Sequence, residues 1–242
     1  MSDKILNTNG QNEIDNDLLF VGAKNNNGQY ITGFTDKIFV IDLENLPYIP
    51  TYGSMNFGGK TYQTVIYPTQ EWTTENLLYI NENIPVGSFG RGPDTPNCAW
   101  YLDDENYSIE HKYNLYYNAA SISIINQNLT NGWHVSTYND WTVLLNFIGI
   151  TSEAFETSDK IAKLRSTNGW FENQNGTNEY GLNLIPAGWK DTDKEFKEAR
   201  LLVDGGNTNH SYTYMFDYNN YYTKGDRNPD YVFPIRLVRN LT

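Results

Sequence analysis

Apolar residues in this chain come in short runs punctuated by Gly, Asn, Asp and Pro, a rhythm that predicts many short strands and few helices. LLFV (18–21) and IFVIDL (38–43) read as strands, with KNNNGQ (24–29) as the turn between them. KTYQTVIY (60–67) has strand composition and stops at Pro68. GWHVSTYNDWTVLLNFIG (132–149) carries the clearest helical signal. Thr137 stands at an N-cap, and Asp140 sits three residues later in the capping-box position. Trp141, Leu144, Leu145 and Ile148 follow at i, i+3, i+4 and i+7, and Gly149 supplies the stop. KYNLYYNA (112–119) and SDKIAKL (158–164) read as further short helices. From 200 to 238, aromatic runs alternate with turn residues, and YVFPIRLV (231–238) reads as a last strand. Helices scattered among many strands, without β–α alternation, predict an α+β fold.

The N-terminal part differs in texture. Residues 1–17 are polar and aperiodic, the pattern of a flexible tail or of an arm that orders only on a partner. Pro47 and Pro50 precede TYGSMNFGGK (51–60), which reads as a linker. The predicted division is therefore 1–55, a short and mainly β attachment segment, and 56–242, the principal domain. About 55 residues bury little core alone, so the first part is expected to pack on copies of itself or on another protein.

Composition removes several function classes. Seventeen basic residues against 29 acidic ones give a net charge of −12, which repels a phosphate backbone and excludes general nucleic-acid binding. The single cysteine, Cys98, excludes an internal disulfide and any zinc site built on several thiolates. No apolar run approaches the roughly 20 residues of a membrane span, so no membrane insertion is expected. The polar opening lacks an apolar leader segment, so synthesis in a host cytoplasm without a signal peptide is expected.

Six ordered motifs resemble the Fibrobacter succinogenes major paralogous domain. KTYQTVIYPTQEWTTENL (60–77) matches its opening at Tyr62, Thr64, Val65, Gln70, Trp72, Asn76 and Leu77. CAWYLDDEN (98–106), KYNLYYNAA (112–120), the 132–149 stretch, KLRSTNGW (163–170) with TNEYGLNLIPAGWKD (177–191), and PIRLVRN (234–240) follow in the family's order. The resemblance spans about 57–242 and implies a C-type-lectin-like fold related to formylglycine-generating enzymes. It also implies an origin among surface proteins of Bacteroidota and Fibrobacterota or among proteins of their phages. Leu237 stands where the family usually has a second Cys, so the thiol pair that copper and oxygen chemistry needs is missing.

Candidate sites follow from residue chemistry. Tyr212, Tyr214, Phe216, Tyr218, Tyr221 and Tyr222 interleave with Asn and Asp, as in sugar sites where rings stack on pyranose faces and amides bind hydroxyls. His210 and Trp189 complete that candidate ligand-binding set. Asp103, Asp104 and Glu105 are weak calcium candidates, because calcium takes six to eight oxygens; calcium is the one cofactor this chemistry admits. Cys98 reads as a small buried hydrophobe among acidic neighbours that raise a thiol pKa, and His134 as a hydrogen-bonded core histidine. GGKT (58–61) has no P-loop context. No catalytic constellation is visible. The expectation is a non-enzymatic virion structural protein, a tail or head fibre or spike component. Its residues 1–55 would meet other virion proteins. It would form a homo-oligomer such as a trimer, and its lectin-like head would recognise a host glycan or pack on another virion protein. The alternative is a bacterial cell-surface adhesin or glycan-binding module.

Overall fold

The computed structural model describes residues 48–87, 94–151, 156–188, 197–208 and 210–241, together with five short strands within the first 47. The chain divides into two compact units, Met1–Tyr48 and Ile49–Thr242.

In the first unit β1 (Ile5–Leu6) pairs antiparallel with β2 (Asn12–Glu13), inside the stretch expected to be a bare arm. Strands β3 (Ala23–Lys24), β4 (Tyr30–Phe34) and β5 (Lys37–Ile41) form an antiparallel sheet. Of the turn expected at 24–29, Lys24 ends β3 and the rest lies outside the described residues. The expected strand at 18–21 lies outside the described residues.

The second unit opens on β6 (Thr51–Phe57), which pairs along its whole length with β7 (Lys60–Ile66). The linker expected at 51–60 is thus a strand and a tight turn. Gly58 and Gly59 both have positive φ, +59° and +77°, which a two-residue hairpin loop requires. GGKT is therefore a turn between strands. β8 (Gln70–Thr73) follows, and the C-terminal β16 (Leu237–Asn240) pairs with it, so the start and end of this unit meet in one sheet. With β11 (His134–Val135) at the far edge, the strand order is β11-β16-β8-β7-β6. Of the final strand expected at 231–238, only its last two residues join the paired strand.

Residues expected to form a helix at 112–119 instead form β10 (Leu115–Tyr117), paired with β9 (Cys98–Trp100). Lys112 and Asn114 have φ near +60°, which stops a helix, and all three strand residues are buried. Large aromatic side chains covered on both faces favour a strand. α1 (Glu105–Glu110) lies in the connection between β9 and β10, and α2 (Ser121–Asn128) follows β10. α3 (Tyr138–Phe147) realises the capping box: Thr137 accepts from the Asp140 N–H, and Asp140 accepts from the Thr137 N–H. The expected helix at 158–164 is a tighter 3₁₀ turn over Asp159–Lys163. A second sheet, in the order β12-β15-β14-β13, contains β12 (Glu156–Thr157), β13 (Glu198–Val203), β14 (Ser211–Asp217) and β15 (Tyr221–Arg227). The architecture is mixed and mainly strand. Among the described residues, no helix is long and apolar enough to cross a membrane.

Helix α3 joins the two sheets. Trp141 meets Trp72 of β8 at a ring separation of 4.6 Å, and Phe216 and Tyr214 of β14 at 5.1 and 5.6 Å. A buried cation closes the assembly elsewhere. Arg236, 0% exposed, donates from Nε to Asn76 Oδ1 at 2.9 Å and from Nη1 to the Thr73 and Leu182 carbonyls at 2.9 and 3.0 Å. Its Nη2 donates to the Asn183 carbonyl at 2.9 Å. Burial pushes its pKa down to about 9, so it stays charged at neutral pH and needs every one of these acceptors.

Two turns share one local shape. Trp100-Tyr101-Leu102-Asp103 and Trp170-Phe171-Glu172-Asn173 each run from an extended Trp into two consecutive residues with φ between +52° and +58°. Each closes with a backbone bond, Asp104 N–H to Tyr101 O at 2.9 Å and Gln174 N–H to Phe171 O at 3.0 Å. Asp or Asn at the second left-handed position tolerates that conformation.

Candidate functional site

The residues that carry the family resemblance are mostly scaffold. Tyr62, Val65, Gln70, Trp72, Asn76, Leu77, Cys98 and Trp141 are all at most 1% exposed. Gln70 links them: its amide accepts from Trp72 Nε1 at 3.1 Å and donates to the Asp140 carbonyl at 3.2 Å. Asp140 Oδ2 in turn accepts from Thr137 Oγ1 at 2.6 Å and from His134 Nε2 at 3.1 Å. The hydrogen bond to Asp140 raises the His134 pKa against the opposing effect of burial. Burial pushes the Asp140 carboxyl upward, but bonds from His134 and Thr137 outweigh it and the net shift is down. His134 is hydrogen-bonded as expected but only partly buried, with 28% of its side chain exposed. Cys98 is fully buried, and burial pushes its thiol up to about 12.

The tyrosine-rich run is split by the strand it forms. Its register sets Tyr212, Tyr214 and Phe216 on one face of β14, opposite Asp226, Lys224 and Tyr222 of β15. That face packs on α3, and Tyr214 and Tyr222 are buried, so these two are core residues rather than exposed rings. Tyr218 and Tyr221, both half-buried, lie at the β14–β15 turn, about 20 Å from Tyr212 along the extended strand. The six aromatic residues therefore cannot form a single sugar subsite. Trp189 lies outside the described residues.

Tyr212 is the part of the run that lies in a polar, accessible setting. Its hydroxyl accepts from Asn207 Nδ2 at 3.3 Å, and its ring meets Tyr138 edge-on at 5.9 Å. His210 lies beside it at 5.9 Å and pairs through Nδ1 with Asp226 Oδ2 at 3.2 Å. Both members of that pair are well exposed, at 49% and 61% of their side chains. Tyr138 is anchored by its hydroxyl, which donates to the Gly225 carbonyl at 2.8 Å. Burial pushes that phenol up to about 12, so it remains neutral. The Lys224 ammonium stands 5.8 Å from the Tyr138 ring centre. Tyr212, Asn207, His210 and Asp226 thus bring a ring, an amide, an imidazole and a carboxylate to one end of the β14–β15 pair in the second sheet.

Asn207, Asp226 and Tyr138 were not evident from sequence. The signal that finds Asp226 is the hairpin around Tyr218-Asn219-Asn220, whose register places it opposite Tyr212; no sequence signal marks Asn207 or Tyr138. The calcium candidates do not converge. Asp103, Asp104 and Glu105 are exposed, and Asp104 caps α1 by accepting from the Tyr107 N–H. Among the described residues no group of three His, Cys, Asp or Glu side chains is placed to hold a metal ion.

The model of the Fibrobacter succinogenes major domain matches residues 65–239. The chain belongs to this family. No curated protein and no solved structure matches it. The Fibrobacter succinogenes major domain here ends within β16 and begins within β7, so its boundaries coincide with strands paired to β8. Of the motif residues named above, Gln70, Trp72 and Trp141 build the α3–sheet junction and Tyr62, Leu77 and Cys98 fill a core cluster, whereas Asn207, His210, Tyr212 and Asp226 lie outside the quoted motifs. This member therefore carries its candidate site on positions apart from the motifs that identify it.

Proposed function

We propose that this chain is a non-enzymatic recognition component of a phage particle, in which a C-type-lectin-like head binds a glycan at the Tyr212 end of the β14–β15 pair. The observation that carries this reading is the grouping of half-buried Tyr212 with exposed Asn207, His210 and Asp226 at one end of the β14–β15 pair. A ring for a pyranose face beside hydrogen-bonding groups for its hydroxyls is the arrangement that saccharide recognition needs. The meeting of β16 with β8 and the loop-borne second sheet support a lectin-like head. The states of the obvious nucleophile and base candidates support a non-catalytic role: Cys98 is a buried neutral thiol, and His134 serves a helix cap. The strands of the first unit support an attachment role on the particle, through contact with other virion proteins or with copies of this chain. The test is a glycan array probed with the full chain. The expected result is binding to a restricted set of saccharides; absence of binding to any saccharide overturns the glycan reading and leaves a purely architectural part.

A further inference from the structure

At the opposite end of β14 from Tyr212 lies a cation whose hydrogen bonding is incomplete. Arg165 is 2% exposed and stacks its guanidinium on Trp170, 4.8 Å from the ring centre. Its Nη1 donates to the Asp217 carbonyl at 3.0 Å and its Nη2 to Asn220 Oδ1 at 2.9 Å. Its Nε is buried and has no partner among the described residues. A buried guanidinium with an unfilled donor is costly, and such a group calls for an explanation. The Asp217 carboxylate lies close enough to attract the guanidinium but makes no hydrogen bond to Nε; its Oδ1 accepts from the N–H groups of Asn219 and Tyr221 and holds the turn.

The surroundings indicate what belongs there. Phe171 follows Trp170 and meets Tyr218 edge-on at 5.3 Å, and the Lys197 ammonium lies 5.0 Å from the Phe171 ring centre. All three side chains are half-buried, beside Asn219 and the Arg165-bound Asn220. Two rings, two amides and a second cation thus lie on the segments that hold Arg165, whose hydrogen-bonded partners are neutral oxygens although the Asp217 carboxylate lies nearby. A guanidinium presents Nε–H and one Nη2–H as a parallel pair that matches the two oxygens of a carboxylate. At present a single amide oxygen, from Asn220, occupies Nη2.

We propose that this hairpin tip is a second saccharide subsite, selective for a sugar bearing a carboxylate, such as a uronic or sialic acid. The carboxylate displaces the Asn220 amide and takes both Nε and Nη2 of Arg165. The pyranose ring lies against Phe171 and Tyr218, and Lys197 adds attraction for the anion. The choice of a saccharide rests on the glycan reading of the Tyr212 end; the choice of an acidic one rests on Arg165 alone.

The test is calorimetric titration of the full chain with glucuronic acid and sialyllactose, against glucose, lactose and an acidic peptide as controls. Binding of the two acidic sugars and of neither neutral one is expected. Asn220→Asp places the chain's own carboxylate on Arg165, so it should raise the melting temperature and weaken acidic-sugar binding at least about tenfold. Tyr218→Ala should weaken it without the rise in melting temperature, and Tyr212→Ala should leave it unchanged. Equal binding of neutral and acidic sugars, capture of the peptide alone, or undiminished binding by Asn220→Asp overturns the proposal. Loss of acidic-sugar binding in Tyr212→Ala but not in Tyr218→Ala would also overturn it, while sparing the Tyr212 site.

Discussion

At the residue scale, two buried polar groups decide how the unit holds together. Arg236 satisfies three carbonyls and the Asn76 amide with one side chain. Arg236→Leu leaves those acceptors unpaired, and an orphaned buried polar group costs about 1–3 kcal/mol. Urea denaturation should therefore show a loss of about 3 kcal/mol or more; a loss below about 1 kcal/mol would mean that water replaces the guanidinium. The His134–Asp140 pair gives a pH signature. His134 has a raised pKa, so its contribution is complete below the ordinary value of 6.5 and fades as pH rises through the higher folded value. Asp140 has a lowered pKa, so its contribution is complete above 3.8 and is lost as pH falls through the lower folded value. The stability gap between wild type and Asp140→Asn should accordingly be widest between those two pH values, 3.8 and 6.5, and narrow on either side. A gap that is flat from pH 3 to 8 would contradict the pairing. Sequence reasoning reached Thr137 and Asp140 because a capping box is local. It did not reach Arg236, whose acceptors lie 53 to 163 positions away along the chain.

At the element scale, local chemistry was legible wherever it decided the outcome. The cap, the apolar stripe and the terminal glycine together specify α3. The apolar residues at 112–119 were misread as helical because periodicity alone cannot separate a short buried strand from a buried helix turn. Pairing with β9, a contact made across the fold, resolves the ambiguity. The turn at Gly58-Gly59 was missed because an uncharged, Gly-rich strand resembles a linker. Its positive φ values make it testable. Gly59→Ala meets open space and should cost about 1 kcal/mol through backbone strain alone. Gly58→Ala adds a Cβ 2.6 Å from the Tyr79 ring and should cost more, as read by shifts in the urea midpoint. Equal costs would show that Tyr79 yields freely. The candidate site was legible only in part. Its aromatic richness appears in the sequence, but which rings face the core depends on the β13–β14–β15 register and on the position of α3.

At the scale of the whole molecule, the identifying residues and the candidate recognition residues occupy different parts of the unit. The first group fills the core and the junction of α3 with two sheets; the second lies at the ends of the β14–β15 hairpin. That separation lets one scaffold carry varied surfaces, because changes at Tyr212 or His210 leave the Trp72–Trp141 contact intact. An attachment role for the first unit carries an expectation about assembly. Light scattering on the full chain should give a dimer or trimer, and a monomer at all concentrations would count against self-association through that unit. The central claim is that saccharide recognition sits at the Tyr212 end and is independent of the family core. Its most direct test is calorimetric titration of an array-identified neutral saccharide into wild type and Tyr212→Ala, with melting temperatures measured in parallel. The account predicts at least about a tenfold loss of affinity, equivalent to about 1.4 kcal/mol, in a variant that remains folded at the titration temperature and whose melting temperature falls only through the lost contact with Tyr138. Undiminished affinity in Tyr212→Ala would contradict it.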